Sequence, residues 1–198
     1  MGETANADAF VEVSGILKAH ATNLIKISND LRLLNFTGEI HLPALQTGSS
    51  IMPGKVNPVL LEAAIQTGLK VVANDGIVAD VASRGTLQIN EFLPLLAHAL
   101  LESLELLTRI NHLLAEHVTA ITADETVCRA CFDHSPMIMT ALLPAIGYDR
   151  ATDLMEAFQR SGESNVTAFL EKTLGRQMVE KTFSPYQLTA LGYRKEEG

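Results

Sequence analysis

Tryptophan is absent from the 198 residues, and Phe and Tyr bring the aromatic share to only 5%. That poverty suits aliphatic helix packing better than a β-sandwich, whose strands favour aromatic and β-branched side chains. Cysteine is nearly missing as well. Cys128 and Cys131 form one CxxC pair inside TVCRACFDH. A redox motif would need a flanking βαβ pattern, and zinc would need more ligands than His134, three residues on. Two buried or half-buried helical thiols are therefore expected, and no metal site. No Lys/Arg-rich run occurs, which argues against nucleic acid as a partner. No uncharged apolar run reaches about 18 residues, so no membrane span is expected. The first residues, MGETANADAF, lack a basic region followed by an apolar core, so no secretory signal is expected. The triplets Asn35-Phe36-Thr37 and Asn165-Val166-Thr167 then carry little weight as glycosylation sites, and a reducing cytoplasm is the expected compartment.

What is present is an apolar share of 47% and an excess of acid, 15 − 23 = −8. An acidic chain still accepts an acidic small molecule where the local field is positive. Apolar residues recur at Phe10, Val13, Leu17, Leu24, Ile27, Leu31 and Leu34, with His20 at the missing step. Alternating spacings of three and four predict the seam of a long packed helix, with His20 packed or interfacial. A second helix is expected from Asn57-Pro58 to about Ser83, with Asn as cap and Pro at the first helical position. A third is expected from about Asn90 to near Val118, with Leu93, Leu96, Leu100, Leu107, Ile110 and Leu114 on one face. Leu101, Leu104, Leu106 and Leu113 spread its apolar surface further round, which predicts burial inside an assembly. Asn74 and Asp75 interrupt the second helix, and a polar contact between helices is their expected role. Shorter helices are expected near Asp124 to Met139, Asp149 to Ser161 and Val166 to Leu174, followed after Gly175 by a polar tail. The expected fold is all-α, with a bundle segment over 1–120 and a small helical domain over 121–198.

Between the first two helices, Asn35 to Val56 lacks helical periodicity, and so long an irregular loop in a helical protein points to function. It ends Thr47-Gly48-Ser49-Ser50-Ile51-Met52-Pro53-Gly54-Lys55-Val56-Asn57-Pro58. Glycines, hydroxyls and a lysine run straight into a helix N-terminus, a natural seat for a carboxylate or phosphate. A phosphate-binding P-loop fails on counting. Five residues rather than four separate Gly48 from Gly54, and Val56 rather than Ser or Thr follows Lys55.

The segment GSSIMPGKVNP resembles the G-S-S-x-M-P-x-K-x-N-P pattern of the fumarase, aspartase and argininosuccinate-lyase superfamily. VEVSGILK, LIKISNDLRLL, VVANDGIV, LQINEFLPLL and TALLPAIGYD extend the similarity over nearly the whole chain. The resemblance implies elimination of ammonia or water from a dicarboxylate or succinyl compound, giving fumarate, without metal or organic cofactor. It implies Ser49 as general base, Lys55 and Asn57 as binders of the substrate carboxylate, and Ser50 and Met52 as the lining of a closing loop. Glu62 would pair with a histidine from a segment upstream of this chain. LQINEFLPLLAHALLESLELL is more similar to aspartate ammonia-lyases than to fumarases. Fumarate hydration and a non-catalytic structural fragment remain the alternatives. Family sites draw on three subunits of a homotetramer, so this chain, lacking the earlier domain and first bundle helices, is expected to be inactive alone. One departure stands out. Where the family carries a Ser-Gly-Pro-Arg stretch, Leu34 is followed here by Asn35-Phe36-Thr37-Gly38-Glu39.

Overall fold

The computed structural model describes residues 5–45, 52 and 56–190. Among the described residues the fold is all-α apart from one minimal ribbon, and the chain divides into two compact units, residues 1–124 and 125–198. Among the described residues, no helix is long and apolar enough to cross a membrane.

In the first unit, α1 (Asp8–Thr37), α2 (Val59–Ala82) and α3 (Leu93–Thr119) pack side by side, α2 between the other two. The seam of α1 is the expected one only in part: Leu24 is buried and Leu17 packs against the core. Phe10, Val13 and Ile27 are exposed, and the residues buried at intervals of seven are Ala7, Ser14, Ala21 and Ser28. Small side chains let two helix backbones approach closely, and hydropathy alone does not reveal them. The approach is tightest at Gly68 of α2. A methyl there would meet Ile25 Cγ1 at 2.5 Å and the Ala21 carbonyl oxygen at 3.0 Å. The expected face of α3 is present: Leu96, Leu100, Leu107 and Ile110 are buried, while Leu101, Leu104 and Leu113 are exposed in the single chain.

Directional bonds fix the register. Asp75 accepts from Ser14 Oγ at 2.8 Å and from Lys18, tying α2 to α1. Burial pushes the Asp75 carboxyl up, but the bonds from Lys18 and Ser14 outweigh it and hold the group below its ordinary range. Buried Asn74, one residue earlier, donates to Ala99 O, Glu102 Oε2 and Ser103 Oγ at 3.2, 2.8 and 3.1 Å, tying α2 to α3. His20, exposed rather than packed, bonds Asn111 of α3. Asn90 does not begin α3. Its buried side chain donates to Val81 O at 3.1 Å and accepts from Phe92 N at 3.0 Å, closing the α2–α3 turn.

α1 runs three residues past the point where an irregular loop was expected. It stops at Gly38, whose φ of 82° completes a left-handed cap with N–H bonds from Gly38 and Glu39 to Asn35 O and Leu34 O. A two-residue strand β1 (Ile40–His41) then pairs antiparallel with β2 (Thr122–Ala123). The end of α1 is thereby joined to the chain leaving α3.

The second unit holds α4 (Glu125–Asp133), a 3₁₀ segment Pro136–Leu142, α5 (Leu143–Ile146), α6 (Tyr148–Ser161), α7 (Val166–Leu174), α8 (Arg176–Thr182) and α9 (Pro185–Thr189). The last two stand where a polar tail was expected. Their apolar residues are few, Val179 alone being buried there, so the periodicity is too short to read. The core gathers Met139, Leu142, Leu154, Phe158, Val166, Phe169 and Leu170, with Phe158 and Phe169 edge to face at 5.4 Å. Asn165 caps α7, its Oδ1 accepting from Ala168 N at 2.7 Å. Both cysteines lie on α4, Cys128 half-buried and Cys131 exposed rather than buried.

Two predictions follow from this packing. Gly68→Ala overpacks the α1–α2 contact and should lower unfolding stability by about 1–3 kcal/mol. Gly15→Ala and Gly76→Ala, helical glycines with open space around them, should each raise it by about 0.5–1 kcal/mol. Denaturant titration of the three variants separates the two signs. The second prediction concerns His117, seven residues after Ile110, which is 6% exposed with neither ring nitrogen bonded among the described residues. Burial lowers its pKa, so the fold favours neutral imidazole and the unfolded chain the charged form. Its contribution is whole above the ordinary histidine value of about 6.5 and is lost as pH falls from there through the depressed folded value. In His117→Leu, thermal melts across that window should show a smaller acid-induced fall in Tm than the parent chain.

Candidate functional site

The chemistry-bearing residues of the first unit collect at one end, where α1 finishes, α2 begins and α3 finishes. Ser49, Ser50 and Lys55, expected in the site, lie outside the described residues. Met52 is described and exposed, Asn57 is half-buried just before α2, and Glu62 sits in the first turn of α2.

The start of α2 differs from expectation in a way that matters for Asn57. Val59 N bonds back to Asn57 O at 2.8 Å across Pro58, whose φ and ψ are −78° and 54°. That is an inverse γ-turn, for which the fixed φ of proline is well suited. The cap position consequently falls on Pro58, not Asn57, and Glu62 N bonds to Pro58 O at 3.1 Å. Asn57 thus stands one residue outside the helix. The positive end of a 24-residue helix lies beside it.

Glu62 faces Arg32 of α1, with Nη2 to Oε1 at 3.7 Å and both side chains 41% exposed. At that separation and exposure the pair orients more than it stabilises. Arg32 Nη1 reaches Asn29 Oδ1 at 3.5 Å, while its Nε is buried and has no hydrogen-bond partner among the described residues. A planar guanidinium with donor capacity to spare suits recognition of a carboxylate. Sequence reading missed Arg32, because no spacing rule connects residues on different helices. It missed His117 too, although that position continues the seven-residue spacing Leu96, Ser103, Ile110. The ribbon at this end carries a further ionisable pair, His41 Nε2 and Asp124 Oδ2 at 3.5 Å, charged on both sides only when the histidine is protonated.

No cluster of three or more His, Cys, Asp or Glu among the described residues is placed to hold a metal ion. The features available at this end are a cation, an acid, an amide and a helix N-terminus. They fit binding a small anion and handling protons on it.

A family model described as Lyase matches residues 1–73. An aspartate ammonia-lyase from Pseudomonas canavaninivorans is 45% identical over 177 residues, 86% of this chain and 37% of that protein. A class II fumarate hydratase from Pseudomonas aeruginosa is 39% identical over 192 residues, 93% of this chain and 42% of its own length. Among solved structures, a fumarate lyase:delta crystallin from Brucella melitensis superposes with a TM-score of 0.77 at 41% identity, covering 94% of this chain and 42% of that one. The chain spans about two-fifths of the length of the curated relatives it matches. The loop sequence GSSIMPGKVNP, the long-helix unit that carries it and these similarities place the chain in the aspartase/fumarase superfamily of lyases.

Proposed function

We propose that this chain supplies the serine-bearing wall of a lyase active site, in an enzyme that eliminates ammonia from L-aspartate to give fumarate. The observation that carries this reading is the eleven-residue segment Gly48–Pro58 leading into the N-terminus of α2, beside Arg32 and Glu62. The aspartate ammonia-lyase similarity supports ammonia as the leaving group.

Ser49 acts as general base and takes the proton from the carbon next to a substrate carboxylate. Serine is an unfavourable base in water, and its alkoxide requires cationic and N–H neighbours in a site closed to solvent. Lys55 and Asn57 bind the carboxylate on which charge accumulates as the proton leaves, and the positive end of α2 adds to their field. Ser50 and Met52 line the site on closure. Glu62 supports an acid–base histidine from another segment, with Arg32 holding its carboxylate from the other side. Expulsion of ammonia from the neighbouring carbon then leaves the double bond of fumarate. No metal or organic cofactor is part of this scheme.

Ile16, Ile27, Leu69, Leu101 and Leu113 are large apolar residues left exposed along the three long helices of the single chain. Such a surface supports assembly with further copies, a tetramer in this reading, with the site shared between subunits. Residues 1–120 then form part of the central bundle, with the serine loop between α1 and α2, and 121–198 a small accessory domain. A site shared in this way leaves residues 1–198 inactive alone. Hydration of fumarate is the second reading, favoured by the class II fumarase similarity at 39% identity.

Ser49→Ala in the complete enzyme should lower kcat by about 10²–10⁴-fold while a non-reacting dicarboxylate still binds. Turnover equal to the parent enzyme removes Ser49 from the role of base. Parallel assays with L-aspartate and L-malate decide between the two reactions, and fumarate formed by residues 1–198 alone would refute the shared site.

A further inference from the structure

Helix α4 is nine residues long, and among the described residues none of its side chains is buried. So short a helix is marginal by itself and depends on packing along one face. Glu125, Cys128 and Phe132, at helical spacings of three and four, form one wall of an open groove in the second unit. The other wall is Phe183, Pro185 and Leu188, from the turn after α8 and from α9. Phe132 and Phe183 join the walls edge to face at 5.5 Å, and both rings remain only half-buried. The packing face of α4 thus lacks a cover among the described residues.

Position and charge point to the segment that covers it. Leu188 lies on the groove, and Ala190, two residues on, leaves α9 extended with φ −65° and ψ 137°. Leu191-Gly192-Tyr193-Arg194-Lys195 follow directly. At about 3.3–3.6 Å per extended residue, Tyr193 reaches about 10 Å from Ala190, comparable with the diameter of a helix. Arg129 Nε bonds Asp133 Oδ2 at 2.8 Å, so those two charges on the groove cancel, whereas Glu125 has no ion-pair partner among the described residues. Arg194 and Lys195 bring adjacent cations to that acid. Exposed ion pairs are weak, so burial of the aromatic ring carries such a contact and charge sets its direction.

We propose that residues 191–195 fold back into this groove, with the Tyr193 ring against Phe132 and Phe183 and with Arg194 and Lys195 beside Glu125. The segment covers the packing face of α4 and, with it, the Cys128 thiol. Glu196 and Glu197 come after the two cations and take no part in the contact.

The two cysteines supply the test. Cys128 lies on the groove, while Cys131, exposed on the same helix, does not line it. Trypsin cuts after Arg129, so the two thiols fall on separate peptides. The 198-residue chain is treated with iodoacetamide, and the alkylation rate of each cysteine is followed by peptide mass. In Tyr193→Ala, which alters no charge, Cys128 should react about fivefold faster while Cys131 keeps its rate, since a covered thiol reacts through local opening. Reversing the cations together, Arg194→Glu with Lys195→Glu, should have the same effect, and adding Glu125→Lys to that variant should restore protection. The proposal is overturned if Cys128 in Tyr193→Ala reacts at the parent rate, or if both thiols accelerate equally. Failure of Glu125→Lys to restore protection overturns the pairing with Glu125. Protection of Cys128 that grows with protein concentration assigns the groove to a second copy of the chain and overturns the proposal as well.

Discussion

The approach of α1 to α2 at Ala21 and Gly68 is the constraint on which the rest of the first unit depends. With Gly68 lacking a side chain, its backbone lies against the Ala21 carbonyl and the Ile25 side chain, and Ser14 and Ser28 are buried one heptad to either side. Apolar burial is proportional to area and indifferent to direction, so larger residues would have held the helices together further apart. Two helices at close range carry their ends with them. Arg32, about three turns beyond Ala21, and Glu62, under two turns before Gly68, come within ionic reach only because their axes are near where the small residues meet.

Close approach alone leaves the helices free to slide. A seam of small residues repeating every seven positions looks much the same after a shift of one heptad, about 10 Å along the axis. Asp75 and Asn74 remove that ambiguity. A slip of α1 against α2 would cost Asp75 its bonds from Ser14 and Lys18, a slip of α3 would cost Asn74 its bonds to Ala99, Glu102 and Ser103, and a buried polar group left without partners costs about 1–3 kcal/mol. Adjacent residues on one helix thus fix register in two directions, Asp75 towards α1 and Asn74 towards α3. The placement of Asn57 and Glu62 at the far end of α2 inherits that setting.

The sequence reading succeeded where a feature was periodic or local. The face of α3 followed from leucine spacing, α7 was expected at Val166 to Leu174 ahead of Gly175, and the polar role of Asn74 and Asp75 followed from their interruption of an apolar helix. It failed where small residues carry the packing, since Ala7, Ser14, Ala21 and Ser28 give no hydropathy signal comparable with Phe10 or Ile27. It also failed at Asn57, whose role as cap is the ordinary expectation for Asn-Pro. The γ-turn across Pro58 displaces the cap by one residue. Arg32 was illegible for a different reason. Its relation to Glu62 exists only after two helices have packed, and no pattern within either helix encodes it.

Where the family resemblance leads one to expect Ser-Gly-Pro-Arg, this chain has Asn35-Phe36-Thr37-Gly38-Glu39, and local bonds show how that connection closes. Gly38 ends α1 abruptly, Asn35 Oδ1 accepts from Leu42 N at 3.2 Å, and Glu39 O accepts from Asp124 N at 2.9 Å. With Ile40 opposite Ala123, these bonds fasten the chain leaving α1 to the chain leaving α3 within a few residues. The polypeptide therefore sets out towards the serine loop from a braced position, not from the end of a fraying helix. Arg32 stands about two turns before that brace. That brace helps to fix where Arg32 stands relative to Glu62, and the 3.7 Å separation is close enough for small rotamer changes to convert it into a direct bond.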